Sequence, residues 1–301
     1  MERSPTHHPA RPAGLARVAQ ALAVDAATRE VVSGLQAAGL PCVVLKGPSV
    51  AAWLYAEGER GYVDSDVLVP RWHAEAAAGV LRGLGFEAAQ DAEGRRSEVS
   101  RPWRRRADDR SVDLHVSVHG ATEAPERVWD LLAERVRPLD LGPAQVPVLD
   151  VPARALLVAL HAQQHADRPG GKPFEDLRRA LAQTDDATWD AAATLALALG
   201  AERSFVEGLR LLPAGEAVLA RMALGRAMSG RAAPLRVALL RVRSARGGRQ
   251  ARAAVRLLVP APTTMRWRSP VARRGRGGLA AAYGLRLAGA ARSVARRRER
   301  P

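Results

Sequence analysis

The residues best equipped for chemistry are Asp64, Asp66 and Asp113, with a Lys46-Gly47-Pro48-Ser49 turn upstream of the first two. Asp64 and Asp66 lie two apart in a run, Val63-Asp64-Ser65-Asp66-Val67-Leu68-Val69, that reads as a strand. Side chains on a strand alternate faces, so the two carboxylates project together while Val63, Val67 and Val69 point into a core. Asp113 belongs to a second alternating stretch, Ser111 to His119. There Val112, Leu114, Val116 and Val118 share one face, and Asp113, His115, Ser117 and His119 the other. Carboxylates grouped in this way can hold hard divalent cations, and Mg2+ characteristically combines a few carboxylates with phosphate oxygens of a substrate. The chemistry is metal-assisted transfer on a polyphosphate, with the cations stabilising the attacking and leaving oxygens. A third carboxylate can also help deprotonate an attacking hydroxyl.

The glycine turn supplies the complementary half. Gly47 lets backbone approach a phosphate closely and tolerates unusual dihedrals. The N–H groups after it, with the Ser49 hydroxyl at a helix start, make an anion-binding nest. Pro48 offers no N–H, so the nest is thinner than a Gly-Ser turn provides. Lys46 and Arg60 flank the turn and can reach phosphate; Arg60 can alternatively pair with the Asp cluster. His161 and His165 stand at i and i+4, a spacing that can bind zinc, but no third ligand is evident and a structural or substrate-lining role is favoured. Glu175 and Asp176 open a helix, where acids favour the dipole. His73 and His119 read as surface or polar-face residues.

The elements that must position these groups give an α+β chain: a small mixed β-sheet core, then an all-helical domain and a basic C-terminal region. Residues 1–13 read as a disordered tail. Leu15 to Ala38 has helical periodicity and stops at Gly39-Leu40-Pro41. A short Val43–Leu45 strand, the turn, a helix over Val50 to Ala56 and the Asp64 strand follow. Trp72 to Leu84 reads as an Ala-rich helix, Phe86 to Trp103 as short strands and loop, and Pro125 to Ala133 as a helix. A proline-punctuated stretch runs on through Pro147. From Ala153 the pattern is wholly helical, with Pro and Gly at the joints as in an antiparallel bundle. The expected divisions are 14–150 for the core, 151–230 for the helical domain and 231–301 for the basic region.

Composition narrows the rest. With 47% hydrophobic residues in 301, the chain can bury a substantial core. One cysteine, Cys42, excludes an internal disulfide and a cysteine-based zinc site. No apolar leader opens the sequence and no window approaches a membrane span, so a cytoplasmic location is expected. The net charge of +15 is unevenly placed: residues 231–301 carry 19 arginines against the single acid Glu299. The residues before Arg231 hold 27 bases and 30 acids, a net −3. The tail is either a solvated Arg-rich surface or an electrostatic footprint for anionic lipid or for nucleic acid, the latter a partner considered but not favoured. Trp267, between Arg266 and Arg268, suits packing at least as well as stacking on a base.

At its chemical residues the sequence resembles the bacterial nucleotidyltransferase-like family of the DNA polymerase β superfamily. The matching pieces are V-V-L-K-G-P-S (43–49), R-G-Y-V-D-S-D-V-L-V (60–69) and V-D-L-H (112–115). L-H-A-Q-Q-H (160–165), K-P-F-E-D-L-R-R-A-L (172–181) and the tail segment M-R-W-R-S-P-V-A-R-R-G-R (265–276) match more weakly. The likeness runs from about residue 30 to about residue 285. It implies a nucleotidyltransferase fold with Asp64, Asp66 and Asp113 as metal ligands and catalytic residues. Lys46, Gly47, Ser49, Arg60 and His115 would then contact the nucleotide. It further implies Mg2+ or Mn2+, an NTP donor, and a small-molecule or protein acceptor bearing a hydroxyl. The alternatives are a non-catalytic nucleotide-binding or partner protein of the same fold and a nucleic-acid-associated protein acting through the basic tail.

Overall fold

The computed structural model describes residues 13–89, 99–222, 224, 271, 275 and 277–284. The chain opens with helix α1 (Ala13–Ala37). Gly39 ends it, adopting φ +71° while the Leu40 N–H returns to the Leu35 carbonyl at 2.9 Å. Strand β1 (Val43–Val44), helix α2 (Pro48–Leu54), strand β2 (Asp64–Leu68) and helix α3 (Ala74–Gly83) follow. Strands β3 (Glu87–Ala88), β4 (Ser100–Arg105) and β5 (Arg110–His115) come next. After helix α4 (Pro125–Ala133), β6 (Val136–Leu141) and β7 (Ala144–Leu149) form a hairpin. Five helices follow among the described residues: α5 (Val151–Gln164), α6 (Lys172–Gln183), α7 (Asp186–Leu199), α8 (Glu202–Leu209) and α9 (Pro213–Arg221).

The seven strands make one mixed sheet in the order β3-β4-β5-β2-β1-β7-β6. The pairs β2–β5 and β1–β7 are parallel and the others antiparallel. Strand alternation separates two cores. Val44, Val67, Val112, Leu114 and Val148 face α1 and α3, where Val31, Leu35, Ala77 and Leu81 are buried with Phe86 and Trp103. Val43, Leu45, Leu68 and Leu149 face the other way, into a core continuous with α5, α7 and α8 through Leu156, Leu160, Trp189 and Phe205. Asp66 has the parity of Leu68, so the chemical face of β2 is the one covered by the C-terminal helices.

Several boundaries differ from the sequence reading. The second alternating strand stops at His115 rather than His119, and Val118 packs with the helical core, opposite to Val112 and Leu114. Val63 precedes β2 and is 58% exposed instead of pointing into a core. The proline-rich stretch is the β6–β7 hairpin, with Pro138 opposite Pro147. Asp150, where the pattern becomes helical, caps α5 by accepting the Ala153 N–H at 3.0 Å and pairs with Arg135 at 3.1 Å. Among the described residues no helix is long and apolar enough to cross a membrane. The region 231–301, Trp267 included, lies outside the described residues apart from 271, 275 and 277–284.

Candidate active site

Parallel pairing of β2 with β5 sets the geometry. Asp66 is in register with Asp113, and Leu68 with His115, so His115 lies two residues further along the same face as Asp113. One donor atom each from Asp66, Asp113 and His115 falls within 4.8 Å of the others. Asp64 shares their strand face but lies outside this group; His115, expected as a nucleotide contact, sits in the third place.

Asp66 is the hub. It is 6% exposed, and its Oδ1 accepts from Lys46 Nζ and from His115 Nε2, each at 2.9 Å. Burial by itself would raise the Asp66 carboxyl, but Lys46 and His115 override it and hold it well below the usual carboxylate range. Asp64 and Asp113 shift the other way, raised by burial first and then by the charge of Asp66. The carboxylates of Asp66 and Asp113, together with the His115 imidazole, form a donor set that fits a divalent cation.

The turn beside this cluster is constrained from three sides. Gly47 has φ +65° and ψ −117°, and a Cβ there would meet the Asp64 carbonyl oxygen at 3.0 Å. Pro48 occupies the first turn of α2, where its missing N–H costs nothing. Ser49 is fully buried and its hydroxyl has no hydrogen-bond partner, while Arg154 of α5 donates to its carbonyl at 3.1 Å. Arg60 does not pair with the Asp cluster. Its Nε and Nη2 each donate to a carboxylate oxygen of Asp176 at 2.8 Å, and Nη1 reaches the Gly47 carbonyl at 3.4 Å. Asp176, 1% exposed, also accepts from the Tyr55 hydroxyl at 2.6 Å. It is therefore the anchor joining α6 to the turn, not merely a helix-start acid. The pair is 116 residues apart, which no periodicity reveals.

A cleft of about 150 Å3 opens against the cluster. Lys46, Asp66, Asp113 and His115 form one side; Val118, Leu157, Leu160 and His161 form much of the other. His161 thus lines the cleft, while its ring packs edge-on against His165, with centroids 4.9 Å apart. Burial, then the charge of Lys46, pushes the His161 imidazole down to about 3, so it is neutral at neutral pH. His119 also borders the cleft, with Nε2 at 3.2 Å from Gln163 Oε1. His73 lies in a short 3-10 turn, Arg71–His73, that follows β2.

A model of the uncharacterised nucleotidyltransferase family matches residues 8–214. The chain belongs to this family. The match includes the turn, both carboxylate strands, the cleft and α6. It begins before the stretch whose motifs suggested the relationship, and it ends before the Arg-rich segment. No curated protein matches the sequence. Among solved structures, the chain is similar to the antibiotic-resistance factor ANT(2'')-Ia, at 15% identity and TM-score 0.43, over 62% of this chain and 94% of that one. It is similar to the lincosamide antibiotic adenylyltransferase LnuA at 12% identity and TM-score 0.37, over 52% and 96%. An antigenic nucleotidyltransferase-like protein from Paracoccidioides brasiliensis aligns at 14% identity and TM-score 0.36, over 61% and 93%.

Proposed function

We propose that this nucleotidyltransferase-family chain moves a nucleoside monophosphate from an NTP to a hydroxyl of a small-molecule or protein acceptor. The observation that carries the reading is Asp66 in register with Asp113 and grouped with His115, beside the constrained Gly47 turn. A bound Mg2+ or Mn2+ would neutralise the triphosphate and stabilise the oxygens entering and leaving phosphorus. Asp66, Asp113 and His115 would hold it, with Asp64 available from the same strand face.

The protein's own residues supply binding and proton handling. The backbone after Gly47 receives phosphate oxygens, and Lys46 adds a positive charge at the cleft wall. Ser49 supports the turn from beneath rather than through its hydroxyl, which is buried. Arg60 acts through the Gly47 carbonyl that it holds. Asp113, raised from its ordinary value by burial and the Asp66 charge, is a better proton acceptor than Asp66 and takes the acceptor hydroxyl's proton on a carboxylate oxygen. The new bond joins the acceptor oxygen to the α-phosphorus; the bond to the bridging oxygen breaks, and pyrophosphate leaves with its electron pair. Leu157, Leu160 and Val118 offer an apolar wall for the acceptor.

Thermal unfolding of the wild type and Asp64→Ala with each of the four NTPs, with and without Mg2+ or Mn2+, tests the nucleotide site. A ligand at 100 times its Kd stabilises by about 2.7 kcal/mol. A metal-dependent shift that Asp64→Ala abolishes supports the reading, and labelled NTP then identifies the acceptor. No shift with any NTP overturns it, whereas binding without transfer to any acceptor would mark a nucleotide-binding partner protein.

A further inference from the structure

Asp66 Oδ1 already has two tenants. Lys46 Nζ and His115 Nε2 each lie 2.9 Å from it. A divalent cation bonded to a carboxylate oxygen sits at roughly 2.0–2.1 Å for Mg2+. An ammonium hydrogen-bonded to that same oxygen would then stand close to a doubly charged ion, inside a site that water screens poorly. Both cannot hold the oxygen favourably. Lysine is the group built to leave, being a point charge on a flexible four-carbon stem. The Lys46 side chain is 23% exposed and borders the cleft, so its ammonium has a path into the space beside the carboxylates.

We propose that Lys46 is an exchangeable counter-ion, neutralising Asp66 until a divalent cation arrives and then passing to the phosphates that arrive with it. This rests on the nucleotide reading of the site. The chain geometry supports the transfer, because Lys46 immediately precedes the Gly47 turn and its side chain can serve either partner. Lys46 therefore weakens binding of metal alone and strengthens binding of metal with nucleotide. The site resists loading with a bare cation and favours the metal–nucleotide pair.

The opposite signs make the test sharp. Mn2+ binding to the full chain is measured by the loss of free-ion EPR signal, without nucleotide, for wild type, Lys46→Met and Lys46→Arg. ATP affinity is measured separately in saturating Mg2+. Lys46→Met should bind Mn2+ at least threefold more tightly and ATP at least tenfold more weakly, while Lys46→Arg shows no gain for Mn2+. Equal or weaker Mn2+ binding by Lys46→Met overturns the exchange and leaves the nucleotide reading intact if ATP still binds. Tighter Mn2+ binding with unchanged ATP affinity overturns the transfer to phosphate. Failure of every form, wild type included, to bind Mn2+ removes both this inference and the metal site.

A second measurement leaves Lys46 itself unsubstituted. Lys46 and Lys172 are the only lysines, so reductive 13C-methylation yields two side-chain amine signals, assigned with Lys172→Arg. Mg2+ should move the Lys46 signal several-fold more than that of Lys172, and ATP should move it again. Equal or absent movement overturns the proposal.

Discussion

Asp66 and Asp113 stand in register across the parallel β2–β5 pair, yet their carboxyls are driven in opposite directions. Both are buried enough for desolvation to raise them. Lys46 and His115 reverse that for Asp66, whereas Asp113 feels the Asp66 charge on top of its own burial. Environments that push two neighbouring carboxyls apart divide their labour, one staying ionised and the other ready to exchange a proton.

The two carboxylates should therefore respond to neutralisation with opposite signs of stability in metal-free protein. Asp113→Asn removes an unfavourable charge and should stabilise by about 1 kcal/mol at pH 7, raising Tm by roughly 2–4 °C. Asp66→Asn loses the charge that Lys46 and His115 share and should destabilise by roughly 1.5–3 kcal/mol. Both should weaken Mn2+ binding at least tenfold. Urea titration with parallel Mn2+ binding checks this, and a stabilised Asp66→Asn would contradict the pairing.

The Arg60–Asp176 pair should be costly to break singly and cheap to replace as a unit. Asp176→Ala leaves a buried guanidinium uncompensated and deprives Tyr55 of its acceptor, so a loss of about 3–5 kcal/mol is expected. Arg60→Met with Asp176→Leu should recover most of that stability, since apolar replacement of a buried pair is often neutral. Nucleotide affinity should stay low in the double variant, because the Gly47 carbonyl loses the Arg60 guanidinium and keeps only the Ala51 N–H at 3.1 Å. Denaturant midpoints and ATP binding on the same samples separate the two effects.

What the sequence discloses and what it hides divide along physical lines. The carboxylate strands were legible because period-two alternation fixes which side chains share a face, and Asp64, Asp66, Asp113 and His115 obey it. The end of α1 at Gly39 was legible through local capping chemistry, and the start of α5 near Asp150 through the change to a helical pattern. The β6–β7 hairpin was not, because Pro138 and Pro147 argue against strands in any local reading. Its tolerance is tertiary: β7 meets β1 only at Val44 and Val148, so the ladder asks nothing of the Pro147 nitrogen. The role of Asp176 depends on Arg60, far off in sequence, and the cleft position of His161 depends on how α5 crosses the sheet.

Gly47→Ala should injure fold and site together. Its φ of +65° disfavours any side chain, and a Cβ would press on the Asp64 carbonyl at 3.0 Å. A cost of about 1–3 kcal/mol is expected, with loss of nucleotide-dependent stabilisation as the carboxylate strand shifts. Gly39→Ala provides the comparison, since it too has positive φ but nothing lies within 4 Å of a Cβ there. It should cost stability while leaving nucleotide binding unchanged, and an equal loss of binding in both would refute the local explanation.

Acid sensitivity should contain an identifiable share from His161. Its ordinary value is 6.5, and in the folded chain burial and Lys46 bring it to about 3, with His165 and Arg60 adding in the same direction and Asp66 opposing. Above pH 6.5 the group is neutral in both states and contributes nothing. As pH falls from 6.5 toward 3 the unfolded chain takes up a proton that the folded chain refuses, so stability is lost progressively; below about 3 the loss is complete. Asp66, held low, adds acid loss only below the ordinary carboxylate range, while Asp64 and Asp113, held high, act with the opposite sign. The difference between wild type and His161→Gln isolates the imidazole. The variant should match the wild type's pH dependence above pH 7 and lose stability less steeply between pH 6.5 and 4. Parallel curves through that window would mean that His161 is as easily protonated folded as unfolded.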